Sequence, residues 1–103
     1  AGLISSRNEL LGWELQEMSN NLARRLGYRP GSALIVTDIV AGKAAAQSGL
    51  QRLDLVLEIN RQPVGTFDEL KDILAEMDPG DDVLVLIRRG RRTFYTALRM
   101  PRS

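Results

Sequence analysis

The chain has 103 residues, of which 44% are hydrophobic, 26% charged and 5% aromatic, and these proportions are typical of one globular domain. Lys and Arg contribute 14 positive charges and Asp and Glu 13 negative ones, so the net charge of +1 gives no strong field to attract nucleic acid or an anionic membrane. The chain contains no histidine and no cysteine, which excludes Ser-His-Asp and Cys-His nucleophiles, the usual zinc and iron–sulfur ligands, and disulfides from it.

The N-terminal residues are not expected to form an intact secretory signal. They lack the basic and apolar regions of a secretory signal, and no stretch of the chain approaches the roughly 18 apolar residues that span a bilayer. Because the chain also begins without Met, we expect an excised domain or a processed product. Residues 1–9 show no hydrophobic period, so we expect a tether or interdomain linker there, a folded domain over residues 10–100 and a tail at 101–103.

Alternating and β-branched segments predict the strands. Leu11, Trp13 and Leu15 alternate with polar or small neighbours, which indicates a half-buried strand. Further strands are predicted at residues 33–40, 53–59, 83–87 and 93–98, with a turn after residue 59 and a hairpin connection at 88–92.

Capping signals predict three helices, at residues 22–26, 43–48 and 67–77. Ser19 lies at the start of the first helix and Gly27 at its end, as N-cap and C-cap residues do. Thr66 precedes the third and longest helix, and Glu69 three residues later completes the pattern of a capping box. One long and two short helices with about five strands predict a small α+β domain.

Neither the lysines nor the clustered carboxylates indicate an enzyme. Lys43 and Lys71 do not lie in apolar stretches, so they do not resemble the base of a Ser-Lys nucleophile. Glu14 and Glu17 have the spacing of ordinary exposed strand carboxylates. We therefore expect no catalytic residue, no metal site and no cofactor in this chain.

Four arginines surround Gly90, at positions 88, 89, 91 and 92. Such a group could hold phosphate. The aromatic residues beside it, Phe94 and Tyr95, are too few and too strand-like for a base-stacking platform. We therefore favour a solvated hairpin tip. We expect that the domain does not bind nucleic acid and does not insert into a membrane.

Gly12 lies between large apolar residues at the start of the first predicted strand. One interpretation is structural, a bulge or a close approach of another backbone. The other is functional, since a glycine lets the N–H groups of Leu11, Gly12 and Trp13 converge on an anion, beside a strand edge that can pair with a peptide. The residues alone leave both interpretations open.

The ordered motifs resemble a PDZ domain of the bacterial HtrA or Do-like serine proteases over residues 10–100. The similar segments are LGWELQ at 11–16, LARRLG at 22–27, IVT at 35–37, GKAAA at 42–46, SGL at 48–50, DLVLEIN at 54–60 and QPV at 62–64. This resemblance implies a partly open β-barrel or sandwich of about five to six strands, capped by one long and one or two short helices, of the circularly permuted bacterial type. Leu53 and Arg61 stand where the family prefers glycine, so we expect altered or mildly strained turns at both positions, without direct functional consequence.

The resemblance also implies a site. A peptide would add as a strand between residues 13–16 and the helix at 67–77, with its carboxylate on the backbone N–H groups of Leu11, Gly12 and Trp13. The implied groove residues are Leu11, Trp13, Glu14, Leu15, Gln16, Phe67, Leu70, Lys71 and Leu74. Trp13 is bulkier than the usual aliphatic residue, which predicts a preference for small terminal residues such as Ala or Val.

The function implied is that of a peptide-binding regulatory module in an HtrA-like serine endopeptidase of the periplasm or cell envelope. It would capture C-terminal or extended segments of unfolded envelope proteins and present them to a separate protease domain or switch that domain on. An alternative is an assembly domain that packs against the protease domain or a sister PDZ domain. PDZ domains of site-two or carboxy-terminal processing proteases are the second family to consider.

Overall fold

The computed structural model describes residues 5–8 and 11–101. Its elements in chain order are β1 (Ser5–Asn8), β2 (Trp13–Glu17), α1 (Asn20–Leu26), β3 (Leu34–Ile39), α2 (Ala44–Gln47), β4 (Leu55–Ile59), β5 (Gln62–Pro63), α3 (Phe67–Ala75), β6 (Asp82–Arg89) and β7 (Arg92–Arg99). The strands form one antiparallel sheet in the order β1-β2-β3-β4-β6-β7, with the short β5 attached to β4. The predicted α+β fold, an open sheet with short helices, is confirmed.

The core lies where the alternating strands turn their apolar side chains inward. Leu15 in β2 and Val83, Val85 and Ile87 in β6 are fully buried. The two β6 residues that alternate with these, at positions 84 and 86, are half-exposed. The side chains of α3 that pack into this cluster include Leu70 and Ile73. The two-residue repeat of the strands and the 3.6-residue repeat of α3 direct apolar side chains into the same cluster. The sheet and the helix therefore enclose one main core.

Local capping fixes the two helices whose ends the sequence marks most clearly. The hydroxyl of Ser19 accepts from the Leu22 N–H at 3.1 Å at the start of α1, and Gly27 ends this helix in the left-handed conformation with a φ of 79°. At the start of α3, Thr66 and Glu69 form the predicted capping box. The helix is nine residues long and ends at Ala75, two residues before the predicted end. Neither this helix nor the shorter α1 and α2 has the length and apolarity to cross a membrane.

The strand β1 lies within the segment for which we expected a tether. Its residues are polar and have no hydrophobic period, yet Ser5 pairs with Gln16 and Asn8 with Trp13 in an antiparallel ladder. Ladder hydrogen bonds come from the backbone, which polar residues supply as well as apolar ones do. The hydrophobic pattern therefore gives no signal for β1, and it gives none for the two-residue strand β5.

At Leu53 and Arg61, where the family prefers glycine, the backbone is in the left-handed conformation. Leu53 has a φ of 73° and is 76% exposed. Asn60 and Arg61, with φ values of 52° and 66°, form the two-residue connection between β4 and β5. Two successive positive φ angles are those of a type I′ turn, for which Asn-Gly is the preferred pair. Both positions thus have the left-handed backbone that glycine adopts most readily.

Replacing Arg61 by glycine is expected to raise the free energy of unfolding by about 1 kcal/mol, because glycine adopts this φ without the steric penalty of a Cβ. Urea unfolding measures the change. Arg91→Gly is the matched control, since Arg91 follows Gly90 in the β6–β7 turn and does not have a positive φ. An equal gain in both variants would contradict relief of backbone strain at residue 61.

Candidate functional site

The loop before β2 is anchored through its carbonyl groups. The Ala45 N–H donates to the Leu11 carbonyl at 2.8 Å. The Val40 N–H donates to the Gly12 carbonyl at 2.9 Å. Because a trans peptide unit is planar, the N–H groups of Gly12 and Trp13 point away from these two donors. The loop therefore presents consecutive backbone N–H groups on its opposite side.

Two oxygen atoms of Asn8 accept from the donors of this loop. The Gly12 N–H donates to the Asn8 carbonyl at 2.8 Å, and the Leu11 N–H donates to Asn8 Oδ1 at 3.0 Å. Asn8 is the last residue of β1 and lies opposite Trp13 in the ladder. The loop thus binds a pair of oxygens at the end of an extended segment.

The apolar residues predicted to line the groove lie in the core. Leu11, Trp13 and Leu15 are at most 1% exposed, and Leu70 on α3 is 6% exposed. The two remaining apolar residues of this set, Phe67 and Leu74, are half-buried and pack against the same cluster. The structure therefore places all six in one apolar cluster, to which the loop before β2, β2 itself and α3 contribute.

The indole N–H of Trp13 has no hydrogen-bond partner among the described residues, although the atom is fully buried. A buried donor without an acceptor costs on the order of 1–3 kcal/mol. Trp13 therefore contributes both a packed ring and an unused donor at the start of β2.

The polar residues of the predicted site lie on the same two elements, β2 and α3. Glu14 and Gln16 are half-buried on β2, where Glu14 accepts from the Thr37 hydroxyl at 2.9 Å, and Lys71 is exposed on α3. A contact that we did not predict comes from Glu17, whose Oε2 accepts from the Phe67 N–H at 2.7 Å. This carboxylate lies at the positive end of the α3 dipole and links the end of β2 to the start of the helix.

An open cavity of about 370 Å³ lies away from this site, beside α1. Its lining includes Leu22 and Leu26 of α1, Leu53 and Arg88. The predicted groove is not open in the same way, because buried side chains fill its floor and β1 covers the edge of β2.

The family model described as "PDZ domain" matches residues 35–89, more than half of the chain. The chain belongs to the PDZ domain family.

The relatives of this PDZ domain include serine proteases. It is 30% identical over 83 residues to the periplasmic pH-dependent serine endoprotease DegQ of Escherichia coli, covering 80% of this chain and 18% of that protein. It is also 30% identical over 90 residues to the magnetosome formation protease MamE of Magnetospirillum gryphiswaldense, covering 87% of this chain and 12% of that protein. The chain thus spans less than a fifth of the length of these relatives, and the resemblance to HtrA or Do-like proteases is confirmed.

Solved structures of similar fold include an HtrA-type protease with a decapeptide and a PDZ domain bound to a phage-derived ligand. The HtrA-type protease AlgW with a decapeptide matches with a TM-score of 0.73 and 22% identity, over 88% of this chain and 28% of that one. The HtrA3 PDZ domain bound to a phage-derived ligand matches with a TM-score of 0.72 and 18% identity, over 92% of this chain and 85% of that one. At these identities the likeness establishes the fold.

Gly12 of the PDZ domain meets a close neighbour. A Cβ placed on it would lie 2.2 Å from the Cβ of Lys43, and its φ is 79°. The close approach expected under the structural interpretation of Gly12 is therefore present, and it is made by Lys43. The functional interpretation is compatible with it, since the same left-handed glycine directs its N–H toward Asn8.

Among the described residues, two of the four hairpin arginines donate hydrogen bonds to side chains of other segments. Arg88 donates to the Tyr28 hydroxyl at 2.7 Å, and Arg89 donates to both carboxylate oxygens of the buried Asp54 at 2.8 and 2.7 Å. Arg91 and Arg92 are exposed. The solvated hairpin tip that we expected therefore consists of Arg91 and Arg92 and does not include Arg88 and Arg89.

Proposed function

We propose that this PDZ domain is a peptide-binding regulatory module of an HtrA-like serine endopeptidase. The bound segment adds as an antiparallel strand to the outer edge of β2, the edge opposite β3, and runs beside α3. Its terminal carboxylate binds the N–H groups of Leu11, Gly12 and Trp13. The side chains proposed to face it are those of Leu11, Trp13, Glu14, Leu15, Gln16, Phe67, Leu70, Lys71 and Leu74.

The observation that carries this proposal is the pair of hydrogen bonds from Leu11 and Gly12 to the oxygens of Asn8. They join two consecutive backbone donors to two oxygens at the end of an extended strand, which is the arrangement that a peptide carboxylate needs. A carboxylate would make these hydrogen bonds stronger, because charge-assisted bonds are about twice as strong as neutral ones. The decapeptide in AlgW and the phage-derived ligand in HtrA3 support peptide binding by this fold.

The parent protein is proposed to be a periplasmic or cell-envelope protease, since the names of two relatives describe periplasmic serine endoproteases. Its partners would then be C-terminal or extended segments of unfolded envelope proteins, together with the protease domain of the same chain. Binding of such a segment would deliver it to the protease domain or activate that domain.

An assembly role is the second candidate. Leu26 and Leu53 are 47% and 76% exposed and line the cavity beside α1, on a surface separate from the proposed groove. Exposed leucines at a cavity are typical of a protein contact. In this case the domain would pack against the protease domain or a sister PDZ domain, and its groove would not bind peptide.

The test uses Trp13, the only tryptophan of the chain, which lies opposite Asn8 in the β1–β2 ladder. Trp-free decapeptides ending in Val are titrated as free acid and as C-terminal amide, following the intrinsic fluorescence and the heat of binding. We expect saturation by the acid with a Kd on the order of micromolar. The amide, which lacks the charge, should bind at least about tenfold more weakly.

Decapeptides ending in Ala and in Phe test the size of the terminal pocket in the same titration. Tight binding of the Phe peptide would contradict a pocket narrowed by Trp13. Absence of any signal and any heat, combined with concentration-dependent sedimentation of the domain, would replace peptide capture by the assembly role.

A further inference from the structure

We propose that β1 is an intramolecular occupant of the peptide groove, with Asn8 in the place of a ligand's terminal carboxylate, so that a peptide binds only after β1 has left the edge of β2. This inference rests on the proposed function and adds a regulation to it. It is carried by three features of the described residues: the ladder, the oxygens of Asn8 and the place of β1 in the sheet.

The ladder makes the two occupants mutually exclusive. A strand has two edges for backbone pairing, and β2 uses one of them for β3. On the other edge, Ser5–Asn8 pairs residue by residue with Gln16, Leu15, Glu14 and Trp13. These are the positions to which a peptide would add, and β1 runs antiparallel to β2 as the proposed peptide does. Only one extended segment fits on this edge at a time.

The oxygens of Asn8 make β1 resemble a ligand at its end as well as along its length. Its carbonyl and Oδ1 accept from Gly12 and Leu11, two of the three proposed carboxylate donors, at 2.8 and 3.0 Å. Both acceptors are neutral amide oxygens. A peptide carboxylate carries a full charge and makes the stronger hydrogen bonds, so it is able to displace them.

The place of β1 in the sheet makes its release local. It is the terminal strand of the order β1-β2-β3-β4-β6-β7 and, among the described strands, pairs with β2 alone. Terminal segments held by few contacts open at a small fraction of the free energy of global unfolding. The apparent Kd of a peptide then equals its intrinsic Kd divided by the fraction of molecules in which β1 is open. A closed population of about nine in ten would weaken binding about tenfold.

A reversible staple tests the exclusion directly. Ser5→Cys and Gln16→Cys are introduced together, because these residues are directly opposite each other in the antiparallel ladder. Opposite residues of such a pair have Cα separations of about 4.5–5.5 Å, within the range of disulfides. The chain has no other cysteine, so this bridge is the only one that can form.

The oxidised and reduced forms of this double variant are titrated with the Val-ending decapeptide acid by calorimetry. We expect the oxidised form to bind at least about tenfold more weakly than the reduced form. The reduced form carries the same substitutions, so it is the reference for any direct effect of losing Gln16. Equal affinity of the two forms would overturn the occupancy of the groove by β1 and leave the proposed function intact.

A second variant changes the balance in the other direction. Asn8→Ala removes the Oδ1 acceptor of the Leu11 N–H, so β1 should open more often and the decapeptide acid should bind about three- to tenfold more tightly. Asn21→Ala, an exposed residue of α1, is the matched control and should leave the affinity unchanged. Weaker binding by Asn8→Ala would show that Asn8 supports the site and does not compete for it.

The two failures are distinguishable. If the reduced double variant, Asn8→Ala and the unsubstituted domain all fail to bind any of the decapeptides, the proposed peptide binding is wrong. The proposed competition between β1 and a peptide is then wrong as well. If all of them bind and neither the staple nor Asn8→Ala changes the affinity, only the competition is wrong.

Discussion

Gly65→Ala is expected to lower the free energy of unfolding by about 3 kcal/mol or more, because the new methyl group would overlap backbone atoms that cannot rotate away. A Cβ on Gly65 would lie 1.7 Å from the Gly31 carbonyl oxygen and 2.7 Å from the Ser32 nitrogen. The contact joins the loop before β3 to the start of α3, where the Gly65 N–H also donates to Glu69 at 3.0 Å. Urea unfolding followed by circular dichroism measures the loss.

The matched control is Gly49→Ala. Gly49 has a φ of 87°, and, apart from Gly49 and its two chain neighbours, no described residue has an atom within 4 Å of the position that a methyl group on it would take. This variant should therefore lose only the backbone penalty of about 1 kcal/mol. A similar loss in both variants would show that the loop before β3 can move away from residue 65.

Arg89→Met is expected to lower the free energy of unfolding by about 3 kcal/mol, since it leaves the carboxylate of Asp54 buried without its cation. Asp54 is 1% exposed, and its two oxygens accept from Arg89 at 2.8 and 2.7 Å. One of them also accepts from the Gln51 N–H at 2.9 Å, so the pair holds the turn before β4 against the end of β6. Urea unfolding of Arg89→Met, Asp54→Ala and the double variant gives the coupling between the two side chains.

The contrasting pair is Arg99 with Asp82 at 3.1 Å, whose side chains are 65% and 61% exposed. Arg99→Met should change the stability by less than about 1 kcal/mol. The hydrogen bond from Arg89 to Asp54 and the attraction of the Asp54 charge raise the pKa of Arg89, against an opposing effect of burial. A raised pKa in the folded state means that this contribution is present below the ordinary arginine pKa and is lost only above it. The stability difference between wild type and Arg89→Met should therefore stay constant as the pH rises from about 7 to about 9.

Features with a local cause could be predicted from the sequence. The capping box of α3 needs only Thr66 and Glu69, three residues apart, and the end of α1 needs only Gly27. At these two helix ends the residues that decide the conformation lie within one turn of the chain. The turns at Leu53 and Arg61 are expected only from the family resemblance, because these residues stand where the family prefers glycine.

Features that depend on a distant partner could not be predicted in this way. Asp54 and Arg89 are 35 residues apart, and no local pattern matches a strand-end arginine to a buried carboxylate. The contact of Glu17 with the first residue of α3 spans 50 residues. For β1 the only local signal is Asn8, whose Oδ1 accepts from the N–H three residues later, as asparagine does in turns.

The antiparallel joining of β1 to β2 also decides how the edge responds to mechanical load. The two strands are consecutive, so the end of β1 at Ser5 lies far from the loop and next to Gln16. A pull on Ser5 away from the sheet would load the ladder bonds one after another, as in a zipper, and not all at once. Unzipping needs a much smaller force than shearing the same bonds together. Tension on the polypeptide ahead of β1 would therefore uncover the edge of β2 without disturbing the buried core.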